Sequence, residues 1–456
     1  MTQLNMHDAQ IPILKSYAVM RQEYFGGILF NCFLPPELKL DHIRFKIALM
    51  CNGEYSIRDI KDYLWQELNH SQEYVDFLVK STLSQFDAQL LLYWTNTKIN
   101  EPIDFSDLSK PVTGSPYHLS EPLTAIWEVT RKCNLKCKHC FSDSGQPEFD
   151  ELSLDEIKRG INHLANKKVF YINFTGGEPL LRPDLFDILS YASTKRISIN
   201  LSTNGLLINE EFLELLLKTN IFSVQISIDG LRELHDSFRG ARGAFERCLD
   251  AIHLLREADI IVEISTAVNK TNIAQISEII DLVANAGASV FKTTLFIPIG
   301  RGKFNQKDLA LASDDVYRLA LIIKKKEEEM KGKLFVENRS CYPWLLDGSA
   351  FADTTCMRSN NVGCSAGNTN IFIKANGDVA PCPFLRDLTL GNLRRNTLDE
   401  IWESKVLDVF RNIHPGDLQG KCHNCEHLGI RCYGGCRAAA LAYSGNLYGE
   451  DPFCWK

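Results

Sequence analysis

No run of this 456-residue chain is apolar for long enough to cross a bilayer, and its first residues lack the charged-then-apolar layout of a secretory signal. Both absences lead to the expectation of a cytoplasmic protein. Excess positive charge is missing as well. There are 50 Lys and Arg against 57 Asp and Glu, a net charge of −7, so no electrostatic footprint for nucleic acid is offered. No internal repeat or low-complexity segment is present. What the chain does have is a 45% apolar composition, enough for substantial buried cores, and a length beyond one ordinary domain. It also has fifteen cysteines. In a reducing compartment, spacings such as Cys422-x2-Cys425 favour metal ligation over disulfides.

Hydropathy patterning divides the chain. Residues 12 to about 95 read as a small α/β unit, with apolar stretches at Tyr17–Met20 and Gly27–Phe33 and helical periodicity from Leu38 to Leu49 that Gly53 breaks. A second helix starts near Ser56, capped with Asp59, and a third spans roughly Glu73 to Phe86. Two strands and three helices are compatible with a winged helix. Prolines at 102, 111, 116 and 122 mark residues 97–122 as a linker. Six β-rich runs then alternate with helical segments: Leu123–Val129, Val169–Phe174, Ile197–Ser202, Val224–Ile228, Ile260–Val268 and Val290–Ile297. That pattern predicts parallel βαβ units closing into a partial (β/α)6 barrel over 123–312. A helix from about Ser313 to Gly332 leads out across a bridging region, 313–340, and its Lys/Glu run at 324–329 reads as a solvated face. From 341 to 456 helical content falls and cysteines become dense. Asn376-Gly377-Asp378 marks a tight turn between short strands there, in a part expected to be held by metal centres more than by an apolar core.

The most specific signal is the C-x3-C-x2-C of Cys133, Cys137 and Cys140 in the loop after the first barrel strand, followed by Gly176-Gly177-Glu178-Pro179 after the second. Three thiolates leave one position short of the four that a cubane iron–sulfur cluster takes. Standing alone the cysteines would also suit zinc, and Gly176-Gly177 would also suit an ordinary turn. Together, in register with strand ends, they resemble the radical S-adenosylmethionine (SAM) family. The resemblance implies a [4Fe–4S] cluster on Cys133, Cys137 and Cys140 whose fourth iron chelates SAM, and a 5′-deoxyadenosyl radical that takes hydrogen from carbon. It further implies SAM contacts from Gly176, Gly177 and Glu178, with Glu178 accepting from the ammonium group. Ser202 and Asn204 would meet the ribose, and Ser227 and Arg239 the carboxylate. Asn204-Gly205 alone is equally an ordinary turn, and Asp229 reads as organising its turn. One departure is His139, where the family often has an aromatic residue that packs on adenine.

The C-terminal array reads C-x12-G-x4-C from Cys364 through Gly377 to Cys382, then C-x2-C-x6-C-x3-C from Cys422 through Cys425 and Cys432 to Cys436, then Cys454. It resembles the SPASM extension of peptide-modifying radical SAM enzymes, with one gap a residue longer than the commonest form. The resemblance implies two auxiliary [4Fe–4S] clusters, one on Cys364, Cys382 and Cys436, the other on Cys422, Cys425, Cys432 and Cys454. Cys356, or less favourably Cys341, would complete the first; otherwise one iron is open. Cys32, Cys51 and Cys248 read as core thiols. Such clusters accept the electron that a ring-closing substrate radical must lose, which zinc cannot do.

A winged helix beside iron–sulfur clusters would also suit a redox-sensing transcription regulator, but residues 1–95 hold eight Lys/Arg against eleven Asp/Glu. Residues 1–96, through Met20–Phe30 and Cys51–Tyr55, are similar to the leader-recognition domain of ribosomal-peptide maturases, which adds a leader peptide as an extra strand. Together with Gly300-Arg-Gly302 and Cys432-Tyr-Gly-Gly-Cys436, the chain resembles thioether-forming maturases of sactipeptides. That implies a precursor peptide as substrate and an electron donor such as flavodoxin or ferredoxin. Carbon–carbon cross-linking and epimerisation stay open. The sulfatase-maturase family carries Asp after the cysteine equivalent to Cys382, where this chain has Pro383.

Overall fold

The computed structural model describes residues 6–108, 118–337, 342, 344–347 and 364–456, and the contacts divide it into two compact units. The first comprises residues up to Ser120 with Arg196–Ser198. Its strand β1 (Ile11–Leu14) pairs antiparallel with β5 (Leu92–Thr95), while β2 (Ala18–Glu23), β3 (Gly26–Asn31) and β4 (Leu38–Asp41) form a separate antiparallel sheet in that order. Helices α1 (His42–Met50), α2 (Ile57–Leu68) and α3 (Gln72–Ala88) cover a core around Leu29, Phe45, Ile60, Leu83 and Phe86. Ser56 and Asp59 form the expected capping box.

The expected two strands are therefore five. Leu38–Asp41 is a strand because Leu38 and Leu40, two apart, pair with Leu29 and Gly27; helix starts only where Asp41 caps the N–H of Arg44 at 2.8 Å. Residues 97–108, read as the start of a linker, pack on this unit: Ile99 and Ile103 donate to Gly53 and Asn52, and Phe105 and Leu108 lie on the core.

In the second unit, β6 (Thr124–Glu128), β7 (Tyr171–Thr175), β8 (Ser198–Thr203), β9 (Ile221–Ser227), β10 (Ile261–Val268) and β11 (Val290–Leu295) lie side by side in chain order. The registers of β6 with β7, β8 with β9, β9 with β10 and β10 with β11 are parallel. Between them run α4 (Leu154–Asn166), α5 (Leu185–Ser193), α6 (Glu210–Leu216), α7 (Arg232–Arg239), α8 (Ala244–Glu257) and α9 (Ile276–Ala286). This is the partial barrel expected. Four further strands extend it: β12 (Phe335–Val336) beside β11, and β13 (Asn370–Ile373), β14 (Asp378–Ala380) and β15 (Gly391–Asn392) beyond β6. The C-terminal region thus continues the barrel sheet, with β13 parallel to β6.

One expectation is corrected in part and one outright. In the charge run of the helix Ser313–Glu329, Lys325, Glu327, Glu328 and Glu329 are exposed as expected, but Lys326 is buried and bonds both oxygens of Asp281 on α9 at 2.7 Å. The C-terminal region also has an apolar core of its own, with Phe372, Val379, Ile401, Trp402 and Phe410 fully buried. No helix among the described residues is long and apolar enough to cross a membrane.

Helix α4 lies on β6 through Gly160, where an added Cβ would sit 2.5 Å from the ring of the fully buried Trp127. Helix propensity alone favours Ala there by roughly 1 kcal/mol. Overpacking typically costs about 1–3 kcal/mol, and a pinned indole leaves little room to yield. Gly160→Ala is therefore expected to lower the apparent melting temperature followed by circular dichroism; a rise would show that the Trp127 contact is soft.

Candidate functional site

Strand alternation sets the site. On β9, Val224 and Ile226 are buried on the helix side, while Gln225 and Ser227 face a cavity of about 290 Å³. The same holds for Asn173 and Thr175 of β7, Ser202 of β8 and Ser265 of β10. The inner face of the barrel is thus polar, and it opens toward the loops at the strand C-terminal ends.

Cys133, Cys137 and Cys140 all line this cavity. Their loop is closed at its base, where Cys133 N–H donates to Gly145 O and Gly145 N–H to Arg131 O, both at 3.0 Å. Arg131 spans it by bonding Glu148 and the Ser142 carbonyl. Arg301 does more. Its backbone N–H bonds Cys140 O at 2.9 Å, and its guanidinium reaches Asp143 at 3.1 Å and the carbonyls of Cys137 at 3.3 Å and Ser144 at 2.5 Å. Gly300 allows this approach, since a Cβ there would lie 2.3 Å from Phe141 O and its φ is +53°. Sequence reading noted Gly300-Arg-Gly302 only as a resemblance; its role as a staple on the cysteine loop depends on a contact across more than 150 residues.

The donor chemistry suits a cluster. Burial pushes the Cys133 thiol up to about 11, with the charges of Cys137 and Cys140 adding to the rise, and burial raises Cys137 too. Thiolates packed this way are costly unless a multivalent cation joins them. Among the described residues no three His, Cys, Asp or Glu side chains converge on one metal ion, and a cluster, whose irons are held by separate thiolates, asks for no such convergence.

Around the cysteines, Gly176, Gly177, Ser202, Asn204, Ser227 and Arg239 line the same cavity. Both glycines are forced by the loop after β6, because a Cβ on Gly176 would lie 2.6 Å from Thr130 O and one on Gly177 2.4 Å from Lys132 O. Glu178, the residue expected to accept from an ammonium group, is held differently from the others. Its carboxylate is fully buried away from the cavity lining and accepts from Thr203 Oγ1 at 2.7 Å, Asn204 N–H at 2.8 Å and Leu180 N–H at 3.1 Å. Burial lifts its pKa to about 7 against those donors. Glu178 therefore ties the loop after β7 to the loop after β8 and fixes Asn204.

Arg239 ends α7 and is buried, with Nη2 2.5 Å from Asp229 Oδ2 and Nη1 3.7 Å from Cys137 Sγ. Asp229 does organise its turn: it accepts from Ala267 N–H at 2.8 Å, and its own N–H donates to His235 Nδ1 at 3.2 Å. Despite the cost of burial its pKa is held low, chiefly by Arg239. His139 stacks flat on Phe238 at 4.7 Å and is held neutral by burial, with its pKa lowered to about 4. Arg239 Nε and His139 Nδ1, on residues that line the cavity, are buried atoms with no hydrogen-bond partner among the described residues, as expected of groups that meet a polar ligand.

The later cysteines fall into two neighbourhoods by their electrostatic influence on one another. Cys382 feels Cys364 and Cys436, whereas Cys454 feels Cys422 and Cys425, and Cys432 feels Cys454 and Cys422. Cys356 and Cys341 lie outside the described residues. Cys32, Cys51 and Cys248 are buried. Directly after Cys382, Pro383 and Phe384 enter the cavity wall, with Phe384 edge-on to Phe141 at 5.5 Å. Arg386 anchors that turn to β6 through buried Glu128 at 3.2 Å.

Arg301→Ala would remove three guanidinium contacts to the first cysteine loop and none to the later sets. It is expected to reduce the iron retained by the first loop several-fold while leaving the later cysteines' iron in place. Iron content compared with that of a Cys133→Ala variant checks this.

The radical SAM superfamily description matches residues 127–283, and the SPASM description, an iron-sulfur cluster-binding domain, matches residues 364–426. By sequence, the chain is 35% identical to the AdoMet-dependent heme synthase of Methanosarcina barkeri over 73% of this chain and 96% of that protein. It is 33% identical to the mycofactocin maturase MftC of Mycobacterium tuberculosis over 74% of this chain and 83% of that protein. By fold, it is similar to SuiB of Streptococcus suis bound to S-adenosylmethionine, with a TM-score of 0.72 at 20% identity over 97% of this chain and 100% of SuiB. SuiB bound to its precursor peptide SuiA gives a TM-score of 0.70. With the first match over the cysteine-lined barrel and the second beginning at Cys364, this chain belongs to the radical SAM superfamily and is an enzyme of its SPASM-bearing branch.

Proposed function

We propose that the enzyme matures a ribosomally made precursor peptide, joining a cysteine sulfur of the peptide to one of its carbons. The observation that carries this reading is the cavity itself: one wall holds Cys133, Cys137 and Cys140, and Pro383 and Phe384 beside Cys382 form part of the other. Hydrogen removal and electron removal can thus act on one bound residue. The relation to MftC and the whole-length fold likeness to SuiB support a peptide substrate.

In this reading Cys133, Cys137 and Cys140 hold a [4Fe–4S] cluster, and SAM lies against Gly176, Gly177, Ser202, Asn204, Ser227 and Arg239. Bound there, cluster and SAM supply hydrogen-atom abstraction from carbon. The protein's residues orient and shield. Arg239, pre-aligned by Asp229, offers its unpaired Nε–H to a carboxylate, and Phe141, Phe296, Pro383 and Phe384 keep the reacting end apolar. Cys364, Cys382 and Cys436 would hold one auxiliary cluster and Cys422, Cys425, Cys432 and Cys454 another. Residues 1–96 would bind the leader as an added strand, with β2 and β4 as the available edges of the three-stranded sheet. The domain limits 97–122, 123–312, 313–340 and 341–456 follow the same reading. A flavodoxin or ferredoxin would deliver the electron.

The heme synthase relatives favour a second reading, a tetrapyrrole substrate on the same barrel. A peptide from a neighbouring reading frame and an iron coproporphyrin, each given anaerobically to reconstituted enzyme with SAM and reductant, separate the two. Thioether closure sends one hydrogen atom to 5′-deoxyadenosine, one proton to solvent and one electron to an auxiliary cluster. The peptide is therefore expected to lose two hydrogens per 5′-deoxyadenosine, with cysteine alkylation blocked. Two hydrogens lost with cysteine still alkylable indicates a carbon–carbon link, unchanged mass indicates epimerisation, and turnover of the porphyrin alone overturns the peptide reading. Core peptide without its leader should react at least tenfold more slowly.

A further inference from the structure

Asp451 lies three residues before Cys454 and is 4% exposed. Both carboxylate oxygens and the carbonyl are engaged, and the partners include a residue of each later cysteine set. Its Oδ2 accepts from Cys436 N–H at 2.5 Å and from Tyr342 Oη at 2.6 Å, and its Oδ1 accepts from Phe453 N–H at 2.8 Å. Its carbonyl accepts from Cys454 N–H at 3.1 Å. The carboxylate occupies space that Gly435 leaves, for a Cβ there would lie 2.0 Å from Oδ2. Among the described residues Arg437, fully buried, is a cation that acts on Asp451, and its two terminal guanidinium nitrogens bond the carbonyls of Leu447 at 3.0 Å, Gly449 at 2.7 Å and Gly434 rather than the carboxylate.

We propose that Asp451 is a positioning residue shared by the two auxiliary clusters, holding Cys436 of one and Cys454 of the other in one hydrogen-bonded unit and lowering both reduction potentials by its charge. The inference rests on the assignment of these two cysteine sets to iron–sulfur clusters. Burial raises the Asp451 pKa, and the three N–H and O–H donors that converge on its side-chain oxygens act against that rise, the arrangement an acceptor-only carboxylate needs. A negative charge beside a cluster opposes the added electron, and hydrogen bonds from the ligand-bearing backbone fix where the sulfurs sit. Tyr342 moderates the effect by drawing charge off Oδ2. One side chain thereby ties the two clusters' potentials together.

The test is an EPR-monitored redox titration of the full-length, anaerobically reconstituted enzyme, with iron counted. Asp451→Asn keeps the size and removes the charge, and it is expected to shift both auxiliary potentials upward while leaving that of the Cys133–Cys140 cluster unchanged. Tyr342→Phe leaves the charge less dispersed, so both should move downward, a sign that mere loosening would not give. Potentials unchanged in variants that retain full iron, or a shift confined to one auxiliary cluster, would overturn the proposal. Should Asp451→Asn lose its iron, the direction of the Tyr342→Phe shift decides alone. Failure of the underlying assignment looks different: wild-type enzyme would then carry only about four irons, the content of a single cubane, and show no auxiliary signal to titrate.

Discussion

A half-barrel of parallel strands hides its outer face under helices and leaves its inner face to be filled by something else. In a closed barrel, branched apolar side chains do this. Here the inward positions are Asn173, Thr175, Ser202, Gln225, Ser227 and Ser265, and behind them sits the buried Asp229–Arg239 pair. Such a wall is expensive to keep dry, and although Ser202 Oγ donates to Asn173 Oδ1 at 3.0 Å, the groups left over suit a polar ligand. The same demand explains the buried thiols above it, whose ionised forms need a cation between them.

Much of this could be read from one sequence because it is local. Strand alternation, the βα repeat, the capping box at Ser56 and the cysteine spacings all lie within short windows. What escaped needs contacts between distant segments. Strands β1, β5 and β12 are four residues or fewer and gain their identity from the neighbour they pair with. Glu178 lies in the expected loop, but spacing cannot say that Thr203 and Asn204 would hold its carboxylate. Lys326 sat in a run that any pattern calls solvated, and only Asp281 on α9 shows otherwise. Arg301 had a hint in its flanking glycines, one of which has a positive φ that permits close backbone approach.

Among the contacts that join the C-terminal region to the barrel, three bear on the cavity. Strand β13 lies parallel to β6 from Asn370↔Thr124 to Ile373↔Trp127. Arg386 pairs with Glu128 at the C-terminal end of β6, the strand that feeds the first cysteine loop. Tyr443 Oη donates to Phe296 O in the cavity wall at 3.2 Å. A sheet register cannot slide without turning every side chain over. The position of Pro383 and Phe384 relative to Cys133, Cys137 and Cys140 is therefore set by backbone pairing rather than by flexible surface contacts.

That rigidity has a chemical reason. An enzyme that removes hydrogen from an unactivated carbon must keep weaker hydrogen donors away from the same spot, and the S–H bond of a free thiol is among the weakest that a protein carries. Beyond the three cysteines of the first loop, no cysteine among the described residues lines the cavity. Cys248 comes near, behind β8 and β9, but it is fully buried and its S–H is turned onto the Asn204 carbonyl at 3.3 Å. Gly205 permits that arrangement, with a φ of +83° and no side chain to push the sulfur forward; a Cβ there would already touch it at 3.4 Å. The turn at Asn204-Gly205 thus serves two ends. It presents Asn204 to the cavity on one side and keeps a reactive sulfur out of it on the other, which is how a site that runs radical chemistry excludes the competing reaction.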